Sequence, residues 1–194
     1  MMANSVDIVV LASGFSDRFG RENKLLHVFR GKPLVGHALS LACSLRLGGK
    51  VILVCSTPET AAVAGELPVQ VVRNLRPERG LCESVRLGVA ASQAGYYLFI
   101  HGDQPFLDAA TIDAVASRRR PGWIVAPSHK GQAGTPALFS ATFREELLTL
   151  PDGEAPRLLK RRHADKVELV EISDPLPLRD IDTLDDLRAL EDAP

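Results

Sequence analysis

Cysteine, net charge and long apolar runs are all scarce in this chain. Its 194 residues hold three cysteines, Cys43, Cys55 and Cys82. Odd in number and far apart, they form neither a disulfide framework nor a metal knuckle. Free thiols suit a reducing cytoplasm, the expected location. Cys43 and Cys55 sit in apolar runs and are expected in the core, whereas Cys82, beside a glycine, is expected nearer the surface. The formal net charge is -1. No global field therefore calls for nucleic acid or an anionic membrane, and neither is expected as a partner. No stretch approaches the ~18–20 apolar residues of a membrane span. Val6-Asp-Ile-Val-Val-Leu11 is short and runs into a glycine loop, so it reads as a strand and not as a signal peptide. No repeat, low-complexity segment or composition break divides the chain, and a single domain over 1–194 is expected.

Short apolar runs alternate with segments of helical period. Strands are expected at Val6–Ala12, Lys50–Cys55, Val69–Arg73, Tyr96–Ile100, Trp123–Ala126, Pro136–Phe139 and Val167–Ile172. Helices are expected at Pro33–Arg46, Pro58–Glu66, Glu83–Gln93, Thr111–Arg119, Thr142–Leu150, Ala155–His163 and Leu184–Leu190. Thr57 is the expected cap of the second, with Pro58 at its first position. This alternation points to an α/β fold with a mostly parallel, Rossmann-like sheet between helical layers. Such sheets bind ligands beyond the carboxyl ends of their strands. Polar segments follow four strands here: Ser13 to Lys24, Asn74 to Ser84, Gly102 to Pro105 and His129 to Pro136.

Three segments carry candidate chemistry. The first, Gly14-Phe-Ser16-Asp-Arg18-Phe-Gly20-Arg-Glu-Asn-Lys24, combines glycines with the Ser16 hydroxyl and the cations of Arg18 and Lys24, a pattern that suits phosphate. It is neither a Walker A sequence nor the dinucleotide fingerprint. The second places Asp103 straight after an apolar strand, where a carboxylate can hold Mg²⁺. In the third, Asp180-Ile-Asp182-Thr183-Leu-Asp185-Asp186, alternation puts Asp180 and Asp182 on one face as candidate metal ligands. Asp185 and Asp186 fall in a first helical turn and read as structural. His27, His37, His101, His129 and His163 form no ligand cluster by spacing. The basic clusters Arg118–Arg120 and Lys160–Arg162 read as solvated helix faces, although the helix carrying Arg157 could meet an anionic acceptor.

Taken together, the motifs resemble the molybdenum-cofactor nucleotidyltransferases, most closely the cytidylyltransferase branch. The resemblance rests on Leu11-Ala-Ser-Gly14-Phe-Ser16-Asp-Arg18-Phe-Gly20, Asn23-Lys24-Leu-Leu26 and Gly31-Lys-Pro33-Leu34. It continues through Asn74 to Ser84, Gly102-Asp-Gln-Pro105, Gly134-Thr-Pro136-Ala-Leu-Phe139 and Asp180-Ile-Asp-Thr-Leu-Asp-Asp-Leu187, in order along nearly the whole chain. Ser13 stands where the cytidylyl branch usually has Ala and the guanylyl branch Gly, which leaves the base open. Phe19 replaces Met, Leu75 replaces Pro, and Asp152-Gly-Glu-Ala-Pro-Arg157 lacks a glycine of the corresponding family stretch.

The resemblance implies a three-layer αβα sandwich of the nucleotide-diphospho-sugar transferase (GT-A) type. It implies a magnesium-dependent enzyme that moves CMP from CTP to the terminal phosphate of a molybdopterin-type acceptor and releases pyrophosphate. A guanylyltransferase, a relative acting on another phosphorylated small molecule, and a non-catalytic cofactor carrier are the alternatives. A molybdoenzyme or its chaperone is a further implied partner. Arg18, Lys24 and Asp103 are implied as catalytic. Leu11, Ala12, Ser13, Gly14, Ser16, Arg18, Lys24, Asn74, Gly80 and Ser84 are implied around the nucleotide. Asp103 and Asp182 are implied as Mg²⁺ ligands, with Gly134, Pro136, Arg157 and Asp180 on the acceptor side.

Overall fold

The computed structural model describes residues 4–14 and 23–191. Strand β1 (Val6–Ala12) is buried along its whole length, as its β-branched run requires of a strand covered on both faces. A two-residue-strand hairpin, β2 (Val28–Phe29) and β3 (Lys32–Pro33), leads into helix α1 (Leu34–Ser44). Then come β4 (Gly48–Cys55), α2 (Pro58–Ala62), β5 (Val69–Arg73), α3 (Leu81–Ala91), β6 (Tyr96–His101) and α4 (Ala109–Ala116). The rest comprises β7 (Ile124–His129), β8 (Gln132–Ala133), β9 (Ala137–Ser140), α5 (Arg144–Leu148), α6 (Arg157–Arg162), β10 (Val167–Glu171) and α7 (Leu184–Glu191).

Eight of these strands form one sheet in the order β10-β7-β9-β6-β1-β4-β5, with β8 paired to β7. The pairs β1/β4, β1/β6, β4/β5 and β7/β10 are parallel, whereas β9 runs antiparallel between β6 and β7. Side chains alternate across the sheet as a period of two demands. Ile8, Val10, Leu53, Leu98 and Ile100 pack under α1 and α4, while Val9, Leu11, Ile52, Val54 and Phe99 pack under α3, α5 and α6. The result is a three-layer αβα sandwich. A third apolar cluster joins Phe29 and Leu34 to Ile181 and Leu187, fastening the C-terminal segment to the β2–β3 hairpin. No helix among the described residues is long and apolar enough to cross a membrane.

Local chemistry sets the boundaries. Thr57 caps α2 by accepting from Thr60 N (3.2 Å), and Asp108 caps α4 by accepting from Thr111 N (2.7 Å). The α2 helix stops at Ala62, before the expected Glu66, and gives way to a turn with Gly65 at φ +49°. The expected Thr142–Leu150 helix divides into a 3₁₀ turn, Ala141–Phe143, and α5. The β2–β3 hairpin and β8 carry no sequence signal, because two residues cannot display a period. Cys82 is fully buried, contrary to expectation, with its thiol donating to Arg79 O (3.0 Å). Cys55 is also buried, and Cys43 half-buried.

The topology fixes where a ligand can sit. From β1 the chain runs outward through β4 to β5, and α3 then carries it back to β6 on the other flank of β1. The direction of winding reverses at β1, and the crevice beyond the carboxyl ends of β1 and β6 is the switch point at which such sheets take ligands.

Candidate active site

A cleft of about 200 Å³ occupies that crevice. Leu11 to Gly14 form one wall, Gly80, Leu81 and Ser84 another, and Lys24, His101 and Asp103 the floor. The loops after β1 and β6 are tied by Gly102 N donating to Leu11 O (3.0 Å). Ser13 is 7% exposed, and its hydroxyl donates to Val54 O on β4 (3.2 Å). Its oxygen is thus engaged with the sheet.

Lys24 is the centre of the charge network. It opens a 3₁₀ turn, Lys24–Leu26, whose cap Asn23 accepts from Leu25 N (3.1 Å). The Asn23 amide also donates to Thr60 Oγ1 (3.0 Å), anchoring the turn to α2. Lys24 Nζ lies 2.6 Å from Asp103 Oδ2 and 3.1 Å from Asp182 Oδ1, and it donates to Ile181 O (3.0 Å). Burial alone would push the Lys24 ammonium below its usual range. The Asp103 and Asp182 carboxylates more than offset this and hold it raised.

Asp103 divides its two oxygens. Oδ2 meets Lys24, while Oδ1 is buried with no hydrogen-bond partner among the described residues. An unsatisfied buried carboxylate oxygen is costly unless something fills the place. Ile181 N donates to Asp103 O (3.0 Å), which holds the C-terminal segment over the floor. Because Ile181 is buried in the third apolar cluster, Asp180 and Asp182 are both presented outward, as alternation requires. One ligand atom from each of His101, Asp103 and Asp180 falls within 4.8 Å of the others. The Asp180 carboxyl is pushed up to about 6, first by desolvation and then by the Asp103 charge, although the residue keeps an exposed outer side. The unpaired oxygen and the mixed donor set fit a divalent cation.

The structure brings together some of the residues read from sequence and not others. Ser16 and Arg18 lie outside the described residues. Asp182, expected as the second metal ligand, contacts Lys24, and Asp180, also read as a candidate ligand, lies beside Asp103. His101, passed over for want of a histidine cluster, belongs with them. Its position two residues before Asp103 at a strand end was the available signal. Asp186 is structural: its Oδ2 accepts from Thr183 N (2.8 Å) and Thr183 Oγ1 (2.7 Å).

Asn74 is buried behind the cleft wall and donates to Ser84 Oγ (3.1 Å), so it positions Ser84. Gly80 has φ +85°, a conformation that favours glycine, and it lies against Gly153. Arg86 secures that contact by donating to Leu150 O (2.6 Å) and pairing with Asp152 (2.5 Å). Gly134 packs on Leu178, and Pro136, after a cis peptide bond, is buried. Their loop is held by Gln104 Nε2 donating to Thr135 Oγ1 (2.7 Å). Arg157 lines a separate cavity with Lys160 and Arg161, floored by Val167 and Leu169.

Residues 8–167 match the MobA-like NTP transferase domain family. Nicotine blue oxidoreductase of Paenarthrobacter nicotinovorans is 27% identical over 195 residues, covering 94% of each chain. A 3-deoxy-manno-octulosonate cytidylyltransferase of Chlorobium phaeobacteroides is 32% identical over 114 residues, which is 58% of this chain and 45% of that enzyme's length. Among solved structures, a nucleotidyl transferase from Methanothermobacter thermautotroptrophicus superposes with a TM-score of 0.86 at 25% identity over 97% of both chains. Rv0371c of Mycobacterium tuberculosis, in complex with manganese, superposes with a TM-score of 0.75 at 26% identity over 98% of this chain and 100% of that one.

Proposed function

The chain belongs to the MobA-like NTP transferase family, and on that premise we propose that it transfers CMP from CTP to the terminal phosphate of a molybdopterin-type acceptor. The observation that carries this reading is the ammonium of Lys24, held 2.6 Å from Asp103 at the switch-point crevice. A fixed cation beside carboxylates is what α-phosphate substitution needs, since that chemistry depends on positioning and charge neutralisation.

The acceptor phosphate attacks the α-phosphorus and pyrophosphate leaves. Lys24 meets the charge that builds on the α-phosphate. The backbone at Leu11, Ala12, Ser13 and Gly14 receives base and ribose, and Ser84 and Gly80 close the opposite wall. Ser16 and Arg18 are assigned to the β- and γ-phosphates. The attacking phosphate is already anionic, so no general base is required. Asp103 and Asp180 would hold a divalent cation, which would supply charge neutralisation for the triphosphate. The manganese complex of Rv0371c supports a divalent ion in this role. On the acceptor side, Gly134 contributes a loop that buried Pro136 shapes, and Arg157 would meet a distal anionic part of the acceptor.

Preference for CTP is supported by Ser13. Because its hydroxyl is engaged by Val54 O, what remains beside the base is a Cβ, as with the Ala of the cytidylyl branch. The test is pyrophosphate release from each of the four triphosphates, with a molybdopterin-type acceptor and Mg²⁺ or Mn²⁺. Release with CTP alone is expected. Release with GTP would move the chain to the guanylyl alternative. Tight pterin binding without release under any triphosphate would make it a carrier.

A further inference from the structure

The possible donors at the floor of the cleft mix carboxylate oxygen with imidazole nitrogen. His101 is the last residue of β6, and Asp103 follows it by two positions at the strand's carboxyl end. Asp180 is brought to the same point by the Ile181 N to Asp103 O bond and by the burial of Ile181. Two of the three donors are carboxylate oxygens, and the third is an imidazole nitrogen.

His101 differs from histidines elsewhere in the fold. His37, His129 and His163 each engage a ring nitrogen, with Phe29 O (2.8 Å), Ile172 O (2.9 Å) and the Glu146 carboxylate (3.0 Å). His101 makes no side-chain hydrogen bond among the described residues, although it lines the cleft and its charge acts on Asp180. Asp103 can serve two cations at once, with Lys24 on Oδ2 and Oδ1 still unpaired. Two donors around one small ion stand about 3.0–4.2 Å apart, given metal–ligand distances of ~2.1 Å. The three donor atoms already lie within 4.8 Å of one another, so side-chain rotation of under about 1 Å closes the set.

We propose that His101 is a metal ligand that gives this site a preference for first-row transition ions of the Mn²⁺ class over Mg²⁺. Magnesium demands a near-octahedral oxygen shell and retains its waters, whereas imidazole adds affinity for transition ions and little for Mg²⁺. This rests on the metal site of the nucleotidyltransferase reading, but metal binding without turnover tests it.

The full chain is titrated with Mn²⁺ alone and followed by electron paramagnetic resonance, then back-titrated with Mg²⁺. Wild-type protein is expected to hold Mn²⁺ at least about 10-fold more tightly than Mg²⁺, with nitrogen-14 modulation of the Mn²⁺ spin echo from imidazole. His101→Leu should abolish that modulation, weaken Mn²⁺ about 10-fold or more, and leave Mg²⁺ within about 3-fold. Asp180→Asn should weaken both ions and keep the nitrogen signal. Bound Mn²⁺ without nitrogen modulation in the wild type would overturn the proposal, even if the His101 variant failed to fold. Equal loss of both ions in a folded His101→Leu protein would also overturn it. Nitrogen modulation together with no pyrophosphate release would uphold the ligand and remove the nucleotidyl-transfer reading instead.

Discussion

Lys24 and Asp103, 79 positions apart in the sequence, meet at 2.6 Å with their side chains only 13% and 16% exposed. One is carried by a turn after the first strand and the other by the end of the sixth. Their pairing leaves the lysine charged and fixed before any triphosphate arrives. Such a preset cation costs no reorganisation in the transition state. Lys24→Ala is therefore expected to lower kcat by about 10²–10³-fold with a smaller change in KM for the triphosphate. Steady-state pyrophosphate release measures this, and a variant that loses only affinity would make Lys24 a ground-state contact.

Asp180 is held beside Asp103 at some expense of stability. Its raised carboxyl keeps a proton that the unfolded chain has already released between pH ~4 and ~6. Above that window its ionised form destabilises the metal-free fold, and the penalty fades as pH falls toward 4. Asp180→Asn should thus be more stable than wild type in chelator at pH 8, by about 1 kcal/mol, with the partly exposed carboxyl screening the full shift. The advantage should vanish near pH 4. Urea unfolding at the two pH values reads it, and a less stable variant at pH 8 would contradict the account.

Helix α3 packs directly on β1 at Gly88. A Cβ there would collide with Val9 Cγ1, part of a fully buried β-branched side chain that cannot swing aside. Gly88→Ala should cost about 1–3 kcal/mol, the range for overpacking, despite the better helix propensity of alanine. A neutral or stabilising result in denaturant unfolding would mean that the helix can lift off the sheet.

Arg86 joins the cleft wall to the loop behind it through Leu150 O and Asp152. Removing the guanidinium in Arg86→Met releases Gly153 from Gly80. The expected results are faster proteolysis within 151–156 and a several-fold higher KM for the triphosphate. Unchanged cleavage would show that Gly153 N donating to Arg79 O (3.0 Å) is enough to hold the loop.

Much of the architecture was legible where a period was long enough to show itself. The β1 bounds expected from its β-branched run are the observed ones, Val6–Ala12. The hairpin of β2 and β3 was not legible, nor was the reversal of β9, since strand direction depends on partners far away in sequence. The site divides in the same way. Lys24 and Asp103 stand out by residue type in the polar segments that follow β1 and β6, and the fold brings them together. That Asp180 lies beside Asp103 and His101 while Asp182 reaches Lys24 was hidden, because alternation gives both the same face. Only the reach of Lys24 distinguishes them. His101 was hidden because its partners are carboxylates and not other histidines.

The bond from Lys24 Nζ to Ile181 O spans 157 positions. During synthesis, the strands and helices through β6 can emerge and begin to pack while that acceptor is still inside the ribosome. A nascent chain holding Lys24 and Asp103 thus lacks the segment that crosses the floor of the cleft until residues near 182 have cleared the exit tunnel. Completion of the cleft is a late event, later than the packing of the strands through β6.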